Sequence, residues 1–191
     1  MTEKGIGSIC CFTGHRPEKL RSSEADVRGR LAGEIAEAIK AGYDTFITGM
    51  VEGVDVWAAE EVIRLKEKHK ELKLVCAVPF DGVERDRTKE EQERFRTIIG
   101  KADEVTYICP KYRPWCFGTR DRWMVDRSSR VIAVFSGCPG GTEHTIKYAK
   151  EKNRTVILIE DKQPDIQKKL RKGMTLLLLR LVTLLGDIIA G

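Results

Sequence analysis

A histidine and an arginine follow a glycine where the first apolar run of the chain ends, in residues 10–20, CCFTGHRPEKL. Gly14 would let the backbone approach a ligand closely, and the planar guanidinium of Arg16 fits a phosphate or a carboxylate. His15 adds a hydrogen-bond donor. A proline turn in which these side chains satisfy only nearby carbonyls and acids is the alternative. The residue types favour an anion site at this turn.

A second anion-binding pattern lies in residues 136–145, SGCPGGTEHT. Gly140 and Gly141 lead into a predicted helix that begins near Thr142. Unhindered backbone amides and the positive end of the helix dipole would then face the same ligand. An ordinary glycine-rich turn with Thr142 as the helix cap is the alternative.

A third glycine-containing loop spans residues 48–55, TGMVEGVD, in which Asp55 is suited to cap the next helix. Motifs of better-known nucleotide enzymes are missing from the sequence, because neither G-x-G-x-x-G after the first strand nor G-x-x-x-x-G-K-[ST] occurs. G-x-S-x-G and H-E-x-x-H are missing as well. The sequence therefore predicts neither a nicotinamide dehydrogenase, a P-loop NTPase, a common serine hydrolase nor a zinc protease.

Short apolar runs alternate with amphipathic helical stretches as far as Glu160, and this alternation predicts the elements that position these loops. The predicted strands are SICCFTG, DTFITG, LKLVCAVPF, EVTYIC, RVIAVFS and RTVILIE. The first helix is predicted to start at Ser22 or Ser23 and has apolar positions every four residues: Val27, Leu31, Ile35 and Ile39. Further helices are predicted over residues 54–70, 119–129 and 142–152. The pattern predicts a Rossmann-like, doubly wound α/β fold over residues 1–162, with a mainly parallel sheet and helices on both faces.

Ligands of such folds bind at the carboxyl ends of the strands, where the strand order reverses. With the order 3-2-1-4-5-6, the crevice would lie between the first and fourth strands. Residues directly after the strands are then the candidates for contact with a ligand. They are Thr13, Gly14, His15, Arg16, Thr48, Gly49, Pro79, Phe80, Ser136, Gly137, Gly140 and Gly141.

The predicted helix before the fifth strand is rich in charge, with Arg120, Arg122, Asp126 and Arg127 within residues 118–137. Charges at this density usually form a solvated helix face. Arg122 and Asp126 lie four residues apart, so they are placed to pair with each other or with a ligand. Trp123 and Met124 are predicted to belong to the core.

The composition suits one compact domain, because 41% of the 191 residues are hydrophobic and 33% are charged. A net charge of +5 mildly favours phosphate-bearing partners. The six cysteines form no C-x-x-C pair, so we expect reduced thiols rather than a metal site. The first residues, MTEKGIGSIC, lack the long apolar core of a signal peptide, which predicts a cytoplasmic location.

The end of the chain, GMTLLLLRLVTLLGDIIAG, is rich in leucine but is interrupted by Arg180 and Asp187. It falls short of the ~20 uninterrupted apolar residues that a membrane-spanning helix needs. We therefore expect residues 163–191 to form a helical tail that packs on the domain or on a second subunit, which favours a homodimer or a higher oligomer.

Four segments resemble one family in order along residues 6–160: FTGHRP, TGMVEGVDVWAAE, VPF and RDRWMVDRSSRVIAVFSGCPGGTEHTIKYA. The family is the YpsA-like branch of the SLOG (SMF/DprA and LOG) superfamily. The resemblance implies a Rossmann-like domain that binds nucleotides or nucleotide-derived ligands at its glycine-rich loops. It implies no cofactor.

The LOG branch of this superfamily consists of phosphoribohydrolases, which release a base from a nucleoside monophosphate with an arginine and the glutamate of P-G-G-x-G-T-x-x-E. Here Thr142 and Glu143 directly follow the two glycines, and Lys147 stands where that glutamate is expected. Arg122 and the displaced Glu143 are the catalytic candidates if the chain is an enzyme. These departures favour a protein that binds its ligand without catalysis.

The DprA-like branch binds single-stranded DNA, and Tyr112, Arg113 and Trp115 in PKYRPWC offer a small cluster of aromatic and basic residues for that role. The primary prediction is a sensor or regulator that binds a nucleotide-like small molecule; a phosphoribohydrolase and a DNA accessory protein are the alternatives. The predicted ligand-binding residues are Thr13, Gly14, His15, Arg16, Thr48, Gly49, Gly53, Asp55, Arg122, Ser136, Gly140, Gly141 and Thr142.

Overall fold

A computed structural model describes residues 8–162, which contain six β-strands and five α-helices. The strands are β1 (Ile9–Gly14), β2 (Thr45–Thr48), β3 (Lys73–Phe80), β4 (Glu104–Cys109), β5 (Arg130–Phe135) and β6 (Thr155–Glu160). The helices are α1 (Glu24–Lys40), α2 (Val54–Lys66), α3 (Lys89–Lys101), α4 (Cys116–Asp126) and α5 (Gly141–Glu151). A short 3₁₀ turn at Pro17–Lys19 follows β1.

All six strands pair in parallel in one sheet, in the order β4-β3-β2-β1-β5-β6. The predicted fold class is confirmed, but the predicted strand order is wrong: β5 rather than β4 lies beside β1. The burial of the strands gives the reason. The four inner residues of β5 are fully buried. In β4 only Cys109 is buried, and Glu104 and Tyr107 are exposed, which suits a strand at the edge of a sheet.

Helices cover both faces of the sheet, as a doubly wound fold requires. On one face, α1, α2 and α3 bury residues such as Leu31, Val62 and Phe95 against Phe12 and Phe46. The opposite face carries α4 and α5, whose core residues are Met124, Val125 and Ala149. Neighbouring strand residues such as Cys10 and Cys11 enter opposite layers because side chains alternate along a strand.

The helix boundaries follow local signals closely at α1. Ser23 is its N-cap, and its side-chain oxygen accepts a hydrogen bond from the backbone N–H of Asp26 at 3.2 Å. Ala38 rather than Ile39 takes the last fully buried position. Helix α2 ends at Lys66, earlier than predicted, and α4 begins at Cys116, earlier than its predicted start at residue 119.

The leucine-rich tail and the oligomer predicted from it lie outside the described residues. Within residues 8–162, no helix is long and apolar enough to cross a membrane, and no cluster of acidic, histidine and cysteine side chains has the size to hold a metal ion. The six cysteines are unpaired, and five of them are buried.

Candidate functional site

A cavity of about 290 Å³ opens at the carboxyl end of β1, where the strand order reverses between β1 and β5. We call it the polar cavity. Its lining comes from the end of β1, from the loops after β1, β2 and β5, and from α2, α4 and α5. The lining residues are Thr13, Gly14, His15, Arg16, Glu18, Lys19, Val51, Asp55, Phe117, Arg120, Asp121, Gly140, Gly141 and Thr142. The two segments that the sequence singled out as anion sites therefore face one space.

His15 is a polar side chain of this cavity with a ring nitrogen that has no hydrogen-bond partner among the described residues. Its ring is 5% exposed and stacks on Phe135, with the ring centroids 5.4 Å apart. Nδ1 lies 3.5 Å from the hydroxyl of Thr142, but no described residue offers Nε2 a hydrogen bond. Burial and the nearby Lys19 ammonium lower the pKa of His15, so the imidazole is neutral at neutral pH.

Gly140 and Gly141 form the start of α5 beside this histidine. Gly140 is the N-cap of the helix and has a φ of +146°, a backbone conformation that residues other than glycine rarely adopt. At Gly141 an added Cβ would have Asp121 Oδ2 as its nearest neighbour, at 3.9 Å. The first backbone N–H groups of a helix lack partners within the helix, so this opening can present amides to an anion.

A buried ion pair forms another part of the wall. Arg120 Nη1 lies 3.1 Å from Asp55 Oδ2, and both side chains are less than a tenth exposed. Arg120 Nε also lies 3.0 Å from Asp121 Oδ1, but without the alignment of a hydrogen bond. Burial raises the pKa of Asp55 from 3.8 to about 6, against the opposing effect of Arg120. Both aspartates thus hold the guanidinium in place and offset much of its charge.

Three predicted binding residues are not part of the cavity lining; Thr48 and Gly49 support the ion pair, and Gly53 contacts the loop after β1. The Thr48 hydroxyl donates a 2.8 Å hydrogen bond to the carbonyl of Asp55 and so fixes the start of α2. A Cβ at Gly49 would lie 1.5 Å from Arg120 Nη1, so only glycine leaves room for the guanidinium. Gly53 has a φ of +96° and lies against the loop after β1, where a Cβ would come within 2.9 Å of the carbonyl of His15.

Other candidates lie away from the polar cavity. The guanidinium of Arg122 lies over the ring of Tyr148, 5.8 Å from its centroid. The carboxylate of Asp126 accepts a hydrogen bond from the Tyr148 hydroxyl instead of one from Arg122. Glu143 is bound to Lys147 at 2.7 Å. Ser136 is buried, and no described residue bonds its hydroxyl, but it is not part of the cavity lining.

Arg120 is a residue of the cavity wall that the sequence motifs do not predict, although the phase of its helix indicates it. Cys116, Arg120 and Met124 are spaced four residues apart, and all three are buried on one face of α4. Met124 was predicted to be in the core, so the arginine one turn earlier had to point toward the sheet as well. Lys19, Phe117 and Asp121 carry no comparable signal, because a turn residue and two partly exposed helix residues resemble ordinary surface positions.

A second cavity, which we call the aromatic cavity, adjoins the first and has a volume of about 930 Å³. The ring of Phe80 meets Tyr112 and Phe117 edge to face, with centroid distances of 5.3 and 6.0 Å. The full lining is Arg16, Pro17, Glu18, Val51, Glu52, Phe80, Val83, Asp86, Arg87, Glu91, Tyr112 and Phe117.

Comparison with known proteins agrees with this architecture. The model of the YpsA family, described as the YspA SLOG family, matches residues 10–162. The chain belongs to this family. The resemblance read from the four sequence segments is therefore confirmed. Relatives of the YpsA-family chain include a UPF0398 protein of Lysinibacillus sphaericus, 26% identical over 149 residues, and one of Bacillus cereus strain G9842, 28% identical over 155 residues. These alignments cover 74% and 75% of this chain, respectively, and 83% of each relative.

Two solved structures share the fold of this YpsA-family chain. DNA processing protein A (DprA) from Streptococcus pneumoniae has a TM-score of 0.60 at 18% identity, over 83% of this chain and 52% of that one. DprA from Helicobacter pylori, whose structure was described for its single-stranded DNA binding mode, has a TM-score of 0.57 at 16% identity, over 86% of this chain and 72% of that one. The chain spans about half of the S. pneumoniae protein. At these identities the likeness concerns the fold.

Proposed function

We propose that this YpsA-family chain binds a nucleotide or a nucleotide-derived small molecule in the polar cavity and acts as a sensor or regulator. The observation that carries the proposal is the buried Nε2 of His15, which no described residue bonds, beside the glycine opening of α5. A buried polar atom without a partner costs about 1–3 kcal/mol. A ligand hydroxyl or phosphate oxygen that bonds this nitrogen would remove that cost.

The charges at the rim of the cavity, rather than those of its lining as a whole, favour an anionic ligand. Asp55 and Asp121 both face Arg120, so these three side chains carry one net negative charge. The exposed rim has Arg16 and Lys19 against Glu18, which is one net positive charge. The N-terminus of α5, where a Cβ on Gly140 would lie 4.0 Å from Lys19 Nζ, adds its partial positive charge and favours an anion there.

The same geometry favours binding over catalysis. Both predicted catalytic residues, Arg122 and Glu143, are absent from the lining of the polar cavity, and Glu143 is held by Lys147. A phosphoribohydrolase is the second candidate, because Asp55 and Asp121 put carboxylates into the wall. Incubation with nucleoside monophosphates followed by chromatography for free base separates the two. We expect no base release.

A calorimetric titration with AMP, ADP-ribose and NAD tests the binding proposal. We expect wild type to bind at least one of them. Arg16→Ala should bind that compound about 10-fold more weakly, which is the lower end of the effect of losing a charged hydrogen bond, because Arg16 is exposed. Gly141→Val should weaken binding similarly, since a branched side chain would block the backbone amides. Because Asp121 is the nearest neighbour at 3.9 Å, that variant should stay folded.

Arg96→Ala is the matched control, since Arg96 is an exposed arginine on α3 that contacts Gln92 outside both cavities. Thermal melts check that every variant folds. If wild type binds none of the three compounds, or if Arg16→Ala and Gly141→Val bind as tightly as Arg96→Ala, the polar cavity is not the anion site.

Binding of single-stranded DNA is a further candidate, because Tyr112 and Trp115 are 59% and 62% exposed on one loop. Stacking on such rings together with contacts to phosphates would make binding fall steeply with salt. A gel shift with an oligonucleotide at two salt concentrations tests it. Binding that is abolished by Trp115→Ala and unaffected by Arg16→Ala would favour the DNA role over the small-molecule role.

A further inference from the structure

We propose that the aromatic cavity holds the nucleobase of the ligand whose phosphate lies in the polar cavity. This inference rests on the proposed function and adds a second subsite to it. The base would lie against Phe80, Tyr112 and Phe117, and the sugar would cross the boundary between the two cavities.

The two cavities form one continuous crevice. They share four lining residues: Arg16, Glu18, Val51 and Phe117. Ligand pockets usually measure about 300–1,000 Å³. The polar cavity, at about 290 Å³, is at the small end of this range, whereas the aromatic cavity has about 930 Å³. A ligand whose phosphate binds at the start of α5 therefore has room for the rest of the molecule in the aromatic cavity.

The walls of the aromatic cavity suit a flat heteroaromatic ring. Tyr112 and Phe117 both meet Phe80 edge to face, so their own ring faces are not stacked against it. Val51 and Val83 complete an apolar surface around the rings. Such a surface binds a base by stacking and by apolar contact, without requiring one particular base.

The opposite wall is held in a fixed arrangement by internal bonds. Arg87 donates to Glu52 at 2.9 Å and to the carbonyl of Met50 at 2.7 Å, and its guanidinium lies over the ring of Phe95. Its charge is therefore satisfied within the protein. This part of the wall is thus fixed before a ligand arrives, which reduces the ordering that binding would otherwise require.

Titration with AMP and with ribose 5-phosphate separates the base from the rest of the ligand. We expect wild type to bind AMP more tightly than ribose 5-phosphate by about 5- to 150-fold, the range for one stacked base. Tyr112→Ala should lose at least about 5-fold in AMP affinity and leave ribose 5-phosphate unchanged. Tyr112→Phe, which keeps the ring, should retain the affinity of wild type.

Trp115→Ala is the matched control, because Trp115 is an equally exposed aromatic residue on the same loop but lies outside both cavity linings. It should leave both affinities unchanged. If neither compound binds wild type, this inference fails; the proposed function fails as well if ADP-ribose and NAD also do not bind. If wild type binds both compounds equally, or if Tyr112→Ala weakens both equally or neither, the base does not lie in the aromatic cavity, and the phosphate site stands on its own.

Discussion

Asp55 and Arg120 are both buried, whereas Asp121 beside them is 21% exposed. Each charge is buried, so each depends on the other for compensation. Gly49 makes the pair possible, because the guanidinium of Arg120 occupies the space of its missing side chain. The ion pair therefore depends on Gly49, a residue without a side chain.

Gly49→Ala should destabilise the fold by about 3–5 kcal/mol, because the new methyl group would displace Arg120 and leave the Asp55 carboxylate buried without its partner. Urea denaturation measures the loss. Gly33→Ala in α1 is the control: its Cβ would meet nothing within 4 Å, so it should stabilise by about 0.5–1 kcal/mol. Equal stability of Gly49→Ala and wild type would contradict the arrangement of Arg120.

Asp55 should also give the fold a characteristic pH dependence. Its pKa is raised on folding from 3.8 to about 6, so the folded protein binds the proton more tightly than the unfolded chain. This contribution to stability is fully present below about pH 4 and is lost as the pH rises through 6. Relative to Asp55→Asn, wild type should lose about 2.5 kcal/mol between pH 4 and pH 8. Urea denaturation at both pH values measures the difference, and parallel pH profiles of the two proteins would refute it.

Residue types alone located part of the site. The predicted candidates Gly14, His15, Arg16, Gly140 and Gly141 all line the polar cavity. The sequence favours Arg122 because Asp126 lies four residues after it, and only the phase of α4 shows that Arg120 is the buried arginine. The support given by Gly49 and Gly53 could not be predicted, because it depends on contacts between loops that are distant in the sequence.

At the scale of elements, the alternation of strands and helices was sufficient to predict the fold class. The strand order was not predicted correctly, because each strand–helix unit is compatible with several neighbours. The contrast between the polar residues of EVTYIC and the apolar run of RVIAVFS does indicate which strand belongs at an edge. Applied to the sequence, that contrast places the fourth strand at an edge and the fifth strand inside the sheet, as observed.

Helix α3 begins with a capping box, which links its stability to the wall of the aromatic cavity. Thr88 Oγ1 accepts from the backbone N–H of Glu91, while the Glu91 carboxylate accepts from the backbone N–H of Thr88. Thr88→Ala should cost about 1 kcal/mol in thermal or urea unfolding. Thr97→Ala, on the exposed part of the same helix, should change stability by less than about 0.5 kcal/mol. Equal effects of the two variants would argue against the cap.

At the scale of the whole molecule, the prediction with the widest consequence concerns residues 163–191, which lie outside the described part of the chain. Leucines at the density seen after Gly173 need a partner surface to leave water, so we expect at least a dimer. Light scattering on the full chain and on a chain ending at Lys162 tests this. A monodisperse monomer in both cases would refute the dimer. Loss of solubility on truncation without a change of oligomeric state would indicate packing of the tail within one chain.

The pairing of β1 with β5 has a consequence for how the protein is synthesised. In the sheet, Cys10 of β1 lies beside Arg130 of β5. The polar cavity is complete only when the loop after β5 meets the loop after β1. The loop after β1 leaves the ribosome long before the loop after β5. The cavity in which we propose that a nucleotide binds is therefore complete only once nearly the whole domain has been made. A nucleotide that binds there as proposed would stabilise finished chains over partial ones during synthesis.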